Sequence, residues 1–149
     1  MSAVLTLATP EHFDRLDALV AAFHAEEGID LAPDARAAGI QPLLGGIPHG
    51  AVYLIGPPRA PIGYVVVTFG WSIEFGGMDG FVDEIFIRPG VRGRGIATEV
   101  LLSLPRALGE AGVKALHLEV GADNVTAQRL YTRAGFKLRD GYHLMTRML

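Results

Sequence analysis

The stretch Phe81–Thr98, FVDEIFIRPGVRGRGIAT, constrains this chain more than any other. An apolar run of strand character enters a basic, glycine-rich turn, and the turn opens directly onto a helical pattern. At a helix start the first backbone N–H groups have no acceptor inside the helix, and the helix dipole adds positive potential there. Gly93 and Gly95 let the backbone approach a bulky anion, and Arg92 and Arg94 add charge. Such a junction seats a phosphate. Ala115–Val120 then reads as a further strand. Strand, helix and strand in that order demand a parallel pair joined by a right-handed crossover.

The elements before this unit are short and punctuated by glycine and proline. Val4–Leu7 reads as a strand, and Thr9-Pro10 opens a helix whose buried face is Phe13, Leu16, Leu19, Val20 and Phe23. Gly28 ends it. A second helix spans Pro33 to Leu44. Strands follow at Ala51–Ile55 and Ile62–Phe69, the latter extending towards Phe75, with Met78-Asp79-Gly80 expected as a turn. Pro105 predicts a kink or early break in the helix that starts at Gly95. A last helix, Asn124–Ala134, is followed by two expected strands, Lys137–Asp140 and Tyr142–Met148. Consecutive strands imply antiparallel pairing, so the fold class is mixed α+β or α/β, with helices on both faces of the sheet.

Composition narrows the partners. The 149 residues suit one domain, residues 1–149, and half of them are hydrophobic. A net charge of −3 argues against a general nucleic-acid binder. There is no cysteine, which excludes disulfides, thiolate nucleophiles and Cys-ligated zinc. The five histidines show no ligand spacing, so no metal is expected. The opening MSAVLTLATPEHFDRLD reads as neither signal peptide nor membrane span, so a cytoplasmic protein with no membrane partner is expected.

Arg92-Gly93-Arg94-Gly95-Ile96-Ala97 resembles the Arg/Gln-x-x-Gly-x-Gly/Ala signature of the GNAT superfamily of N-acetyltransferases. Downstream, Asn124, Ala127, Leu130, Tyr131, Gly135 and Phe136 are similar to that family's Asn-x-x-Ala-x-x-Leu-Tyr-x-x-x-Gly-Phe motif. The element order fits from Val4 onward. The resemblance implies a mostly antiparallel sheet with a splayed parallel pair at its centre. It also implies an acetyl-CoA or other acyl-CoA donor, an amine acceptor and no metal. The pyrophosphate would sit on the amides of Arg92, Gly93, Arg94, Gly95, Ile96 and Ala97, with Thr98 nearby. The pantetheine arm would run along Ile85, Phe86 and Ile87 towards Asn124 and Ala127. An N–H of that strand, that of Ile85, would hold the oxyanion. Tyr131 would be the general acid for the departing thiolate. Homodimers are common among similar proteins, so a homodimer is expected.

Read from the residues alone, Asn124 is a sufficient helix cap and Tyr131 a sufficient core tyrosine. An ammonium acceptor must lose a proton before it attacks, and Glu84, Asp83 and Glu119 are the candidate bases, in that order; water can also relay the proton. Strand alternation sends Asp83 and Glu84 to opposite faces. By the resemblance, the acceptor pocket draws on His24, Glu27, Trp71, Glu74 and Tyr142, whose acids would attract a cationic amine. Two other readings remain. One is a non-catalytic acyl-CoA-binding module, which would carry the same turn. The other is a dinucleotide site, since Gly93-x-Gly95-x-x-Thr98 approaches G-x-G-x-x-G with Glu119 as the ribose acid. Four residues separate the strand from the first glycine and the third glycine is absent, which weighs against the dinucleotide.

Overall fold

A computed structural model describes residues 4–149; Met1, Ser2 and Ala3 of the opening stretch lie outside the described residues. Five strands form one sheet in the order β1-β2-β3-β4-β5, with β1 Leu5–Leu7, β2 Gly50–Ile55, β3 Gly63–Ser72, β4 Gly77–Ile87 and β5 Ala115–Leu118. The first four strands run antiparallel, and β5 joins β4 in parallel. Helices α1 (Phe13–Glu27) and α2 (Pro33–Leu44) precede β2, α3 (Ile96–Glu110) crosses from β4 to β5, and α4 (Val125–Arg133) follows.

Alternation along the strands builds two cores. Leu54, Tyr64, Val66 and Phe86 face α1 and α2, against Leu16, Val20, Ile40 and Leu44. Ile55, Val65, Val67 and Ile87 face α3, against Val100, Leu104 and Leu108. The mixed sheet with helices on both faces is thus as the sequence reads. A single β-bulge interrupts the alternation: Val66 faces Glu84 while Val67 faces Val82, so Asp83 is an extra residue on β4.

Four expectations are corrected. Met78-Asp79-Gly80 is strand, paired with Trp71, Gly70 and Phe69, because the hairpin turns earlier, at Gly76, whose φ is 81°. Gly80 lies where β5 approaches closely; a Cβ there would stand 3.1 Å from Leu116 Cδ1 and 3.3 Å from Val67 Cγ1. Helix α3 passes through Pro105 without a break, its buried face of Val100, Leu101, Leu104 and Leu108 outweighing one lost backbone bond. The two strands expected at Lys137–Asp140 and Tyr142–Met148 do not form among the described residues. The segment is held through the side chain of Arg139 instead, which bonds Glu74 at 3.3 Å and lies over the rings of Phe75 and Tyr142. The parallel pair therefore ends the sheet rather than standing at its centre.

Candidate active site

The site is built where β4 and β5 part. Their ladder runs from Asp79↔Ala115 to Val82↔Leu118 and stops there, while β4 stays paired with β3 as far as Ile87. Asp83–Ile87 therefore has one edge paired and the other open to a ligand. The parting begins at the bulge, where an extra residue bends and twists a strand. An open strand edge holds extended polar chains through main-chain bonds.

At the end of β4 a short 3-10 turn, Pro89–Val91, leads into Arg92–Gly95. Gly93 and Gly95 have φ of 78° and 76°, a region that L side chains rarely enter. A Cβ at either would meet nothing within 4 Å, so the space over the turn is open. No backbone carbonyl accepts from the amides of Gly93 to Thr98 among the described residues; the first bonded amide is that of Glu99, to Gly95 O at 3.1 Å. These amides form the concave donor array that an anion needs.

Arg92 itself is turned away from that array. Its Nε donates to Ile87 O at 2.8 Å, its Nη2 reaches both Glu26 oxygens at 3.0 and 2.7 Å, and its guanidinium lies over the Phe86 ring. It pins the end of β4 to α1. Arg94 is exposed and is left as the cation beside the free amides.

Glu84 sits on the α1 face of β4. Tyr64 donates its hydroxyl to Oε1 at 2.7 Å, and His24 Nε2 meets Oε2 at 2.7 Å. An ionised carboxylate only accepts, so Nε2 carries the hydrogen. His24 Nδ1 is buried and without a hydrogen-bond partner. Tyr64 is fully buried, and burial together with Glu84 keeps its phenol protonated far above its ordinary range. Tyr64 was not anticipated from sequence. The available signal was a lone hydroxyl inside a valine-rich strand, which must find a partner.

Asp83, on the bulge, is partly open to solvent, yet protein surrounds enough of it for burial to push its carboxyl above the usual range; Glu84 and Glu119 push the same way and His24 opposes. Asp83 thus feels the charge of both other candidate bases. A carboxyl whose pKa is higher in the folded state disfavours folding at neutral pH, and that cost fades as pH falls towards the ordinary ~3.9. Asp83→Asn should therefore be more stable than the parent at pH 7, with the gap closing by about pH 4. Denaturant midpoints across that range measure it, and a gap that widens on acidification would refute the assignment.

Tyr131 lies on α4, edge-on to Phe136 at 6.3 Å. Burial first, then the charge of Glu27, raises its pKa, so it is a phenol and not a phenolate at neutral pH. Asn124 caps α4, accepting from Ala127 N at 3.1 Å. Of the expected acceptor residues, His24 and Glu27 come from the end of α1 and reach this group. Trp71, Glu74 and Tyr142 lie elsewhere: Trp71 is 76% exposed near the β3–β4 turn, and Glu74 and Tyr142 gather around Arg139. An open cleft of about 990 Å³ nevertheless has Glu74, Glu119, Tyr131 and Tyr142 on its walls, beside the outer edge of β5. Among the described residues no three His, Asp or Glu gather as metal ligands would.

Residues 19–136 match the acetyltransferase (GNAT) family. The chain belongs to that family. The uncharacterized N-acetyltransferase YycN of Bacillus subtilis (strain 168) is 34% identical over 62 residues, which cover 42% of this chain and 40% of that protein. Among solved structures, an integron cassette protein from the mobile metagenome of Cole Harbour Salt Marsh is 33% identical with a TM-score of 0.83, over 97% of this chain and 90% of that one. A possible acetyltransferase from Clostridium difficile 630 has a TM-score of 0.86 at 16% identity, over 100% and 99%. The aminoglycoside N-acetyltransferase AAC(6')-Iy, solved with a bisubstrate analogue of CoA and acetylneamine, has a TM-score of 0.81 at 16% identity over 100% of both chains. The last two likenesses concern the fold.

Proposed function

We propose that this protein transfers an acetyl group from acetyl-CoA to a primary amine by direct attack in a ternary complex, with residues 1–149 acting as one domain in the cytoplasm. The observation that carries this reading is the parting of β4 from β5 beyond Val82 and Leu118, at the foot of a turn with six unbonded amides. Family membership and the CoA complex of a structural neighbour support the donor. The pyrophosphate rests on Gly93–Thr98 with Arg94 beside it, and the pantetheine arm bonds the open edge of Ile85–Ile87 and approaches Asn124 and Ala127.

The amine enters from the α1 side. Glu84, oriented by Tyr64 and His24, takes its proton, directly or through water; Asp83 and Glu119 add negative potential that draws in a cation. The nitrogen attacks the thioester carbonyl, and the N–H of Ile85 holds the oxyanion. Collapse of the tetrahedral intermediate expels the thiolate, which takes the Tyr131 proton, and the nitrogen's second proton passes to the Tyr131 phenolate, directly or through water, which restores the phenol. No cysteine is present to carry the acyl group, which favours the direct route. The acetylneamine portion of the neighbour's ligand supports a small cationic amine as acceptor.

The test is thiol release from acetyl-CoA across a panel of polyamines, aminoglycosides, amino acids and peptides. Turnover with a subset of amines is expected. Tight acetyl-CoA binding without release on any amine would instead make the chain an acyl-CoA-binding module.

A further inference from the structure

Three arginines far apart in the chain meet around one hollow that the acyl-transfer chemistry does not use. Arg15 comes from α1, Arg59 from the connection between β2 and β3, and Arg88 from the end of β4. Local bonds fix the backbone of each. Arg15 is inside a helix. The turn at Pro57–Ala60 is closed by Ala60 N donating to Pro57 O at 3.0 Å, and Arg88 N donates to Ile62 O at 2.8 Å. Arg36, Arg92 and Arg139 each hold a carboxylate. Arg15, Arg59 and Arg88 hold none among the described residues, and no acidic residue lines the hollow. Composition does not account for this, since the chain has 16 acidic residues against 13 lysines and arginines.

The hollow is a cavity of about 360 Å³. At ~30 Å³ per water it has room for about a dozen waters, the scale of a small-molecule site and not of a polymer groove. Ala18 and Ala22 lie on the Arg15 face of α1, at i+3 and i+7, and their short side chains leave the space open. Leu19, Pro61 and Phe86, all buried, make its apolar floor. The hollow is separate from the donor turn, because none of Gly93–Thr98 lines it. Arg59 and Pro61 put it on the side of β4 that pairs with β3, while the open edge for the donor faces β5.

We propose that Arg15, Arg59 and Arg88 form a second anion site, which takes a small phosphate monoester. One guanidinium fork already satisfies a carboxylate, through two parallel bonds. Three forks converging from three segments call for more oxygens and more charge. A phosphomonoester offers three terminal oxygens and a charge of about −1.5 to −2 at pH 7. Its apolar body would lie on Leu19, Pro61 and Phe86. The occupant would tie α1 to the end of β4, as the Arg92–Glu26 pair does one helical turn beyond Ala22. The chemistry could come from free phosphate or from an ester, and the apolar floor favours the ester.

Calorimetric titration of the full chain with phenyl phosphate should show a site that Gly95→Asp leaves intact. Loss of binding in Gly95→Asp would move the anion to the donor turn and overturn the inference. Arg15→Ala, Arg59→Ala and Arg88→Ala should each weaken binding about tenfold or more, since each deletes hydrogen bonds to a charged group. All three positions are exposed, so melting without the anion should be unchanged. Inorganic phosphate should bind more weakly than phenyl phosphate, and equal affinity would overturn the seat for the apolar body. Benzoate, with the same ring and a single charge, should bind weakest, and benzoate matching phenyl phosphate would overturn the phosphate assignment. No binding of phenyl phosphate, or parent affinity in all three arginine variants, would overturn the site itself. None of these measurements reads turnover, so the inference stands or falls apart from the catalytic reading.

Discussion

Gly95→Asp should abolish acetyl-CoA binding while leaving the fold standing. Gly95 has φ of 76° and open space where its Cβ would be, with no atom within 4 Å of it. Aspartate is among the residues that visit the left-handed region most readily, and the strain is of order 1–2 kcal/mol. Its carboxylate, however, stands among the free amides of Gly93–Thr98, where the pyrophosphate would rest. At ~5 Å and an effective dielectric of ~20, each pair of like charges costs about 3 kcal/mol. Two phosphate charges then weaken binding by well over a hundredfold, at about 1.4 kcal/mol per tenfold. Gly95→Ala separates the two effects, since it carries the strain without the charge: it should melt earlier and still bind. Calorimetric titration with acetyl-CoA, beside thermal melts of both variants, measures this. Intact affinity in Gly95→Asp would remove the phosphate from the turn.

Tyr131→Phe should lower kcat by about 10²–10⁴, the range that a positioned proton donor contributes, with the KM for acetyl-CoA little changed. The substitution keeps the ring and its edge contact with Phe136 and deletes only the proton donor. Burial and Glu27 hold that donor protonated through the neutral range, so wild-type turnover should lose no activity to Tyr131 ionisation below pH ~10. Thiol-release kinetics with a good amine substrate provide the comparison. Unchanged kcat would take Tyr131 out of the chemistry and leave it as a packing residue of α4.

The parts of this molecule legible in sequence are those set by local chemistry. Gly28 ends α1 in the left-handed region, α2 runs from Pro33 to Leu44 as its signals indicate, and Asn124 caps α4 with its side chain. The glycine turn and its helix follow from residues adjacent in the chain. What escaped the sequence depends on partners distant in it. Arg92 reads as a phosphate ligand until Glu26 and Ile87, from α1 and β4, are seen to hold it. Tyr64 gains meaning only when β3 and β4 are placed in register. The strand pattern of Tyr142–Met148 is plain, yet no strand forms there among the described residues, because an alternating pattern needs a sheet edge to pair with. The alternation that separates Asp83 from Glu84 holds only for a regular ladder, and β4 is not regular there.

That irregularity also sets how the protein tolerates length change. Val82 faces α3 and Glu84 faces α1, the arrangement that two neighbours in an unbroken strand would have. Excising Asp83 would therefore leave every flanking side chain on its present face and both interiors intact. The seam between the two parallel strands, freed of its spare link, would then zip onward past Val82 and Leu118, and the groove for the donor would close. One codon separates an open sheet from a sealed one.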